Sequence, residues 1–413
     1  MHLELDLREV ISSFLTLLIV VSVARFFGLL FRKMGQPSVM GEVLGGIVLG
    51  PSVLGAVAPQ FSGAAFNPEA LAFLKTIAEI GIVLYLFVMG LEIDLPRLRK
   101  SARSAVSVSL ISIVLPFLFG FLLSYKIHGL YAPPGIAPTA FGLFVGVSLS
   151  ITAFPVLARI LSDSPLHRTS LGDLALTCAA IDDIVAWCLV AVITGILSSS
   201  LSGAGMTIAL TVVYIALMML VVKPLVASLL PKLEKEAERL PQALLAVAVL
   251  GALASAAVTD LIGIHAFFGA FLFGAVIPHD SLIAREIPER LQDFVAILFL
   301  PAFFALTGLK TQLGLLATTA DWMICLAIIG LAIAGKFGGA FAGAKFAGKT
   351  NREASILGIL MNTRGLVELI VLNIGLQVGI LTPTLFTMLV IMALVTTFMT
   401  GPLLRLSLQG ARQ

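Results

Sequence analysis

Thr177-Cys178-Ala179-Ala180-Ile181-Asp182-Asp183-Ile184-Val185-Ala186-Trp187 lies inside an apolar run from about Leu171 to Leu197. A helix of roughly 20 residues crosses the hydrocarbon core of a bilayer, so this run is long enough to span one. The two aspartates then fall near the middle of the membrane. Each would cost roughly 2.5–3.5 kcal/mol there if left ionised and unpaired. A single aspartate could be half of a structural ion pair on a helix contact. Two in succession fit that account less well, because one basic partner cannot neutralise both. Successive helical positions are about 100° apart, so one carboxylate can face a partner helix and the other a water-filled cavity. Asp182 and Asp183 are therefore read as an ion site.

The rest of the composition agrees with a membrane setting. Of 413 residues, 59% are hydrophobic and only 12% charged, against about 25% charged in soluble domains. Mean hydropathy is +1.08. The fold class expected is an all-α polytopic membrane protein with no room for a large soluble domain. Cys178, Cys188 and Cys325 fall in apolar runs without CxxC spacing, so no disulfide framework or metal site is implied. Near the N-terminus Glu4 and Asp6 replace the basic region of a signal peptide. The first apolar run is also too long for one, and is read as a retained helix.

Hydropathy with Gly and Pro punctuation gives about thirteen spans. They run approximately over 10–31, 39–56, 71–92, 104–124, 138–160, 169–197, 206–230, 240–260, 264–278, 291–309, 322–344, 352–376 and 382–407. With the N-terminus outside, the cytoplasmic segments hold eighteen basic residues, among them Arg97, Arg99, Lys100, Arg103, Arg168, Lys232 and Arg412. The outer connections hold only Lys126 and Lys310. The positive-inside rule thus places the C-terminus in the cytoplasm.

An internal repeat organises these spans. Phe87-Val88-Met89-Gly90-Leu91-Glu92-Ile93-Asp94-Leu95 in span three is echoed by Ala305-Leu306-Thr307-Gly308-Leu309-Lys310-Thr311-Gln312-Leu313 in span ten. Gly45-Gly46-Ile47-Val48-Leu49-Gly50 is echoed by Gly269-Ala270-Phe271-Leu272-Phe273-Gly274. Spans one to six repeat as eight to thirteen, and an offset of seven spans inverts their orientation, as in secondary transporters. Span five then pairs with span twelve, and both carry interruptions. Ser148-Leu149-Ser150-Ile151-Thr152-Ala153-Phe154-Pro155 contains a proline that leaves an upstream carbonyl unpaired. Met361-Asn362-Thr363-Arg364-Gly365-Leu366-Val367-Glu368 is polar and contains a glycine. Interrupted helices at matching places point to a binding site. Ser150 and Thr152 join Asp182 and Asp183 as candidate cation and proton ligands. Pro155, Arg364, Gly365 and Glu368 support the breaks, and Arg364 and Glu368 are spaced to pair with each other.

Lys336 lies in Gly335-Lys336-Phe337-Gly338-Gly339-Ala340-Phe341-Ala342-Gly343, whose small residues allow close helix approach. It is the natural partner of one aspartate. Lys75 and Glu79 form a structural pair in span three. Glu42 and Asp173 are candidates for a cation entrance, and His265 reads as a packed histidine. Gly343-Ala344-Lys345-Phe346-Ala347-Gly348-Lys349-Thr350 satisfies the phosphate-loop pattern, but it follows a membrane helix rather than a strand. No nucleotide binding, and no nucleic acid, is expected.

These stretches resemble the monovalent cation:proton antiporter family, which contains Kef-type and NapA-type exchangers and the plant cation/H+ exchangers. The resemblance rests on Gly35-Gln36-Pro37 through Gly50-Pro51, Gly90 to Asp94, Ile151 to Arg159, Gly308-Leu309-Lys310 and Met361 to Glu368. Asp182-Asp183 departs from the Asn-Asp of the plant branch and the Gln-Asp of Kef proteins. With the lysine of span eleven it resembles the electrogenic sodium/proton exchangers. The chain ends just after span thirteen, without a Kef-type nucleotide-binding domain, so ligand gating of that kind is not expected.

The resemblance implies an NhaA/NapA-like fold with two inverted-topology repeats and crossed broken helices, assembled as a homodimer. Residues 1–103 and 236–320 would form halves of a dimerisation domain. Residues 104–200 and 321–413 would form halves of a mobile core, with 201–235 as a linker helix. The function implied is not enzymatic and needs no cofactor. It is exchange of a monovalent cation for protons, Na+ favoured with K+ or Li+ as alternatives, by an electrogenic, elevator-type movement. A K+/H+ exchanger of the plant-like branch and a channel-like protein are the alternative readings. The expected setting is a bacterial inner membrane.

Overall fold

The structure is a computed structural model that describes residues 2–92, 95–162, 164–166, 169–197, 201–235 and 239–409. Ile93, Asp94, Arg168 and Arg412 lie outside the described residues, as do the side chains of Glu4, Asp6, Arg97, Arg99, Lys100 and Arg103. Among the described residues every regular element is a helix. Among the described residues ten helices are long and apolar enough to cross a membrane, or eleven when the bent pair Asn351–Met361 and Leu366–Gln377 counts as one. Thirteen spans were expected. The sixth and ninth expected positions are occupied by Ser170–Leu197, which carries both aspartates, and by the short apolar helix Ala266–Val276. At 1.5 Å per residue the latter is about 16 Å long, roughly half a hydrocarbon core.

Contacts gather the chain into two compact units. One comprises Met1–Val21, Ala64–Leu95 and Ala191–Leu306. The other comprises Ser22–Gly63, Pro96–Val190 and Thr307–Gln413.

The glycines that revealed the repeat are points of close helix crossing. In the first unit, Gly90 of Pro68–Leu91 lies against the Phe271 carbonyl, and Gly274 of Ala266–Val276 against that of Phe87. In the second unit, Gly308 lies against the Val43 carbonyl and the Gly46 backbone of Ser38–Leu49. So span three of one repeat crosses span nine, and span ten crosses span two. Repeat-related glycines make repeat-related contacts, each too tight for a side chain.

The phosphate-loop pattern is a turn between helices. Thr319–Phe346 ends in a Schellman arrangement, with Gly348 N–H donating to Lys345 O and Lys349 N–H to Ala344 O, both at 3.0 Å. Gly348 takes the left-handed backbone this requires, at φ 77°. Thr350 then caps Asn351–Met361 in a reciprocal capping box with Glu353. Its Lys and Thr are accounted for by helix ends. The three cysteines are free.

Candidate ion site

The site lies in the second unit, where the two interruptions meet. Pro138–Ser150 and Phe154–Ser162 are separated by three non-helical residues, and Asn351–Met361 and Leu366–Gln377 are bent by 43°. The breaks are joined. Ala153 N–H donates to Thr363 O at 3.1 Å, and Thr152 Oγ1 donates to Met361 O at 2.9 Å. Pro155 falls in the first turn of the second half-helix, where a missing N–H costs nothing. It therefore starts a helix rather than kinking one, and the chain has already left helical geometry at Ile151. Gly365 permits the approach of the breaks, since a Cβ there would sit 2.5 Å from Val156 Cγ2.

Arg364 is fully buried and ties the two breaks together. Its Nη1 donates to Ser148 O at 2.9 Å and its Nη2 to Leu149 O. These carbonyls end the half-helix Pro138–Ser150, so the cation sits at the negative end of a helix dipole. Nη1 also lies 3.4 Å from Glu368 Oε1, which brings together the pair expected from spacing. Thr397 holds the backbone of the break. Its Oγ1 accepts from Arg364 N–H at 2.9 Å and donates to Arg364 O at 2.8 Å. Thr397→Val keeps the volume, removes both bonds and strands a buried N–H. We expect a loss of about 1–3 kcal/mol, read as a lower melting temperature in detergent, with Thr397→Ser near wild type. Identical melting of Thr397→Val and wild type would show that other contacts hold the break.

The aspartates face different neighbours. Asp182 Oδ2 is 2.6 Å from Lys336 Nζ, and both side chains are wholly buried. Lys336 is brought there by the glycine stripe beside it. A Cβ on Gly335, Gly339 or Gly343 would lie within 2.6–2.7 Å of Pro116, Ile111 or Val108, so Thr319–Phe346 runs against the helix Leu95–Tyr131. The hydroxyls of Ser109 and Thr152 face the Asp182 carboxylate. Asp183 is also buried, and neither of its oxygens makes a hydrogen bond among the described residues. The Phe154 N–H, at the start of a half-helix, reaches toward it. Asn362 Oδ1, at the other break, is buried and likewise has no hydrogen bond.

Ser150 is buried, and its hydroxyl returns to Val147 O at 2.9 Å within its own helix. Glu42 is buried against Gly28 and lies 4.0 Å from Arg25. Asp173 is exposed in the first turn of Ser170–Leu197. It stands about 13 Å along the helix axis from Asp182. Lys75 and Glu79 pair at 3.6 Å, and the His265 ring packs on Phe267 with centroids 4.1 Å apart. Sequence reasoning missed Ser109, Asn362 as a possible ligand and Thr397. A small polar residue in an apolar helix gives no signal that separates packing from ligation.

Comparison with known proteins gives the family. The family model described as "Sodium/hydrogen exchanger, transmembrane" matches residues 18–409. The Na(+)/H(+) antiporter NhaS4 of Synechocystis sp. is 40% identical over 401 residues, covering 97% of this chain and 98% of that protein. Cation/H(+) antiporter 15 of Arabidopsis thaliana is 39% identical, across 94% of this chain and 47% of that protein. K(+)/H(+) antiporter 1 of Saccharomyces cerevisiae is 35% identical, across 91% and 44%. The chain thus spans about half the length of these plant and yeast relatives. In fold it is similar to the sodium proton antiporter MjNhaP1 of Methanocaldococcus jannaschii, with a TM-score of 0.70 at 16% identity over 98% of both chains. Buried aspartates at the meeting of two broken helices, in an all-helical membrane chain matched over nearly its whole length, make this chain a member of the sodium/hydrogen exchanger family.

Proposed function

We propose that the chain is a secondary active antiporter that exchanges a monovalent cation for protons, driven by the two gradients. The observation that carries this reading is Asp183, a buried carboxyl with no hydrogen bond on either oxygen among the described residues, beside a Lys–Asp pair where two broken helices meet. A proton and a dehydrated cation compete for the same oxygens. If the site changes sides only when its charge is neutralised, one occupant must be exchanged for the other. Asp183 is the main ligand, and Thr152, Asn362 and Ser150 are the neutral oxygens nearest the breaks. Asp182 assists and pairs with Lys336 when the cation is absent.

Sodium is the favoured cation, supported by the similarity along the full length of a relative named as a Na(+)/H(+) antiporter. Potassium is the second reading, supported by the similarity to a relative named as a K(+)/H(+) antiporter. The charge carried by Lys336 makes the exchange electrogenic. The remaining parts of the proposal are an elevator-type movement and a homodimer. Residues 1–103 and 236–320 serve dimerisation, 104–200 and 321–413 form the moving core, and 201–235 link them. The setting is a bacterial inner membrane, with the N-terminus outside, the C-terminus inside, and Glu42 and Asp173 toward the entrance.

Purified protein in liposomes with an internal pH dye tests the reading. Added Na+, K+ or Li+ should drive proton movement, Na+ most strongly. Cation flux without proton movement would point to a channel-like protein instead. Orientation is tested with single cysteines in a cysteine-free background. An impermeant reagent on intact cells should label Lys126→Cys but reach Lys232→Cys only after permeabilisation, both positions being exposed. Labelling of position 232 from outside would invert the topology.

A further inference from the structure

Lys336 occupies one oxygen of Asp182, and Oδ1 has no hydrogen bond among the described residues. If the lysine withdraws during transport, the carboxylate must find another donor or remain buried and unpaired. Two hydroxyls face it, those of Ser109 and Thr152, and they are not equivalent. Each has one proton to donate. Thr152 gives its proton to the Met361 carbonyl. That carbonyl belongs to the last turn of Asn351–Met361, beyond the reach of any helical N–H. Turning Thr152 away would leave it unsatisfied. Ser109 gives its proton to the Cys178 carbonyl at 2.9 Å. Cys178 precedes Asp182 by one turn of Ser170–Leu197, so its carbonyl also receives the helical N–H of Asp182. It keeps a partner when the hydroxyl leaves.

The surroundings place Ser109 where both partners of the ion pair can influence it. The helix Leu95–Tyr131 meets the aspartate helix at Ala105, whose carbonyl accepts from Cys178 Sγ at 3.6 Å, and at Ser109 itself. Its Val108 and Ile111 meet the glycine stripe of the lysine helix. Ser109 is fully buried, so no solvent competes for its proton.

Resting on the reading of Asp183 and Lys336 above, we infer that Ser109 is a positioning residue for Asp182. Its hydroxyl turns from the Cys178 carbonyl to Asp182 Oδ1 when Lys336 withdraws, and so stabilises the cation-occupied site. Thr152 stays in place and holds the break.

The test compares Ser109→Ala, Ser109→Thr and Thr152→Val with wild type in proteoliposomes. Proton flux is measured against the concentration of whichever of Na+, K+ and Li+ drives it best. Ser109→Ala should raise the apparent KM for the cation roughly tenfold, the order of one hydrogen bond to a charged group. Its maximal rate and melting temperature should change little. Ser109→Thr, which keeps the hydroxyl, should restore KM. Thr152→Val should instead lower the melting temperature. A wild-type KM in Ser109→Ala, or a raised KM that Ser109→Thr fails to restore, overturns the inference while the transport reading stands. Absence of cation-driven proton flux in wild type overturns both.

Discussion

Asp183→Asn is expected to reduce cation-driven proton flux to the level of empty liposomes, while the protein still inserts and purifies as wild type does. The substitution keeps the shape of the side chain. It removes the negative charge that attracts a cation and the proton that a carboxyl can release. Among the described residues neither of its oxygens makes a hydrogen bond, the amide oxygen of Asn can still face the Phe154 N–H, and replacing a buried carboxyl by a neutral amide relieves desolvation rather than adding to it. Stability should therefore be unchanged or raised. That separates this variant from one that merely misfolds. The measurement is flux in proteoliposomes at matched protein content, beside melting in detergent. Retention of half the wild-type flux would remove Asp183 from its role as the titrating ligand.

Much of this site was legible because charge inside a membrane is costly and must be accounted for. Two aspartates in one apolar run demanded a partner, and the glycine-lined lysine of span eleven was the natural one. The 2.6 Å contact between Asp182 and Lys336 answers that demand. The breaks were legible through the repeat, since two interruptions at corresponding places had to face one another. The hydroxyls were not legible. Ser109 sits among Ser104, Ser107 and Ser112 in the same helix. Only the third dimension shows which serine meets an aspartate helix. Ser150 gives its proton to Val147 O in its own helix, which leaves its oxygen lone pairs to face a cation.

Arg364 shows how spacing can find a true contact and miss the larger role. The four-residue interval to Glu368 predicted an ion pair, and the two groups lie 3.4 Å apart. The same guanidinium also holds carbonyls more than two hundred positions away in sequence. No local pattern encodes that reach. The number of spans was hard to read for a similar reason. The helix Ala266–Val276 is short and crosses its neighbours closely at Gly269 and Gly274, whereas hydropathy counts residues without regard to what they face.

Lys336→Gln is expected to lower the net charge moved per cation while leaving some pH-gradient-driven uptake. The wild-type lysine is buried with Asp182 as its ion-pair partner. Cation binding at Asp183, with Asp182 assisting, takes Asp182 away from the lysine. A buried ammonium without its partner is costly, and losing its proton removes that cost. A second proton would then leave for each cation bound, and the cycle carries charge. Glutamine offers a neutral amide to Asp182 and has no proton to release in this way. Asp183 can still exchange one proton for one cation, so uptake persists without the current. If Lys336 serves the fold alone, the outcome differs. Removing one member of a buried pair costs about 3–5 kcal/mol, so melting temperature falls, and whatever transport remains keeps its voltage dependence. Currents on a solid-supported membrane, recorded beside isotope uptake in the same liposomes, separate the two. An unchanged charge per ion in Lys336→Gln rules out the coupling role.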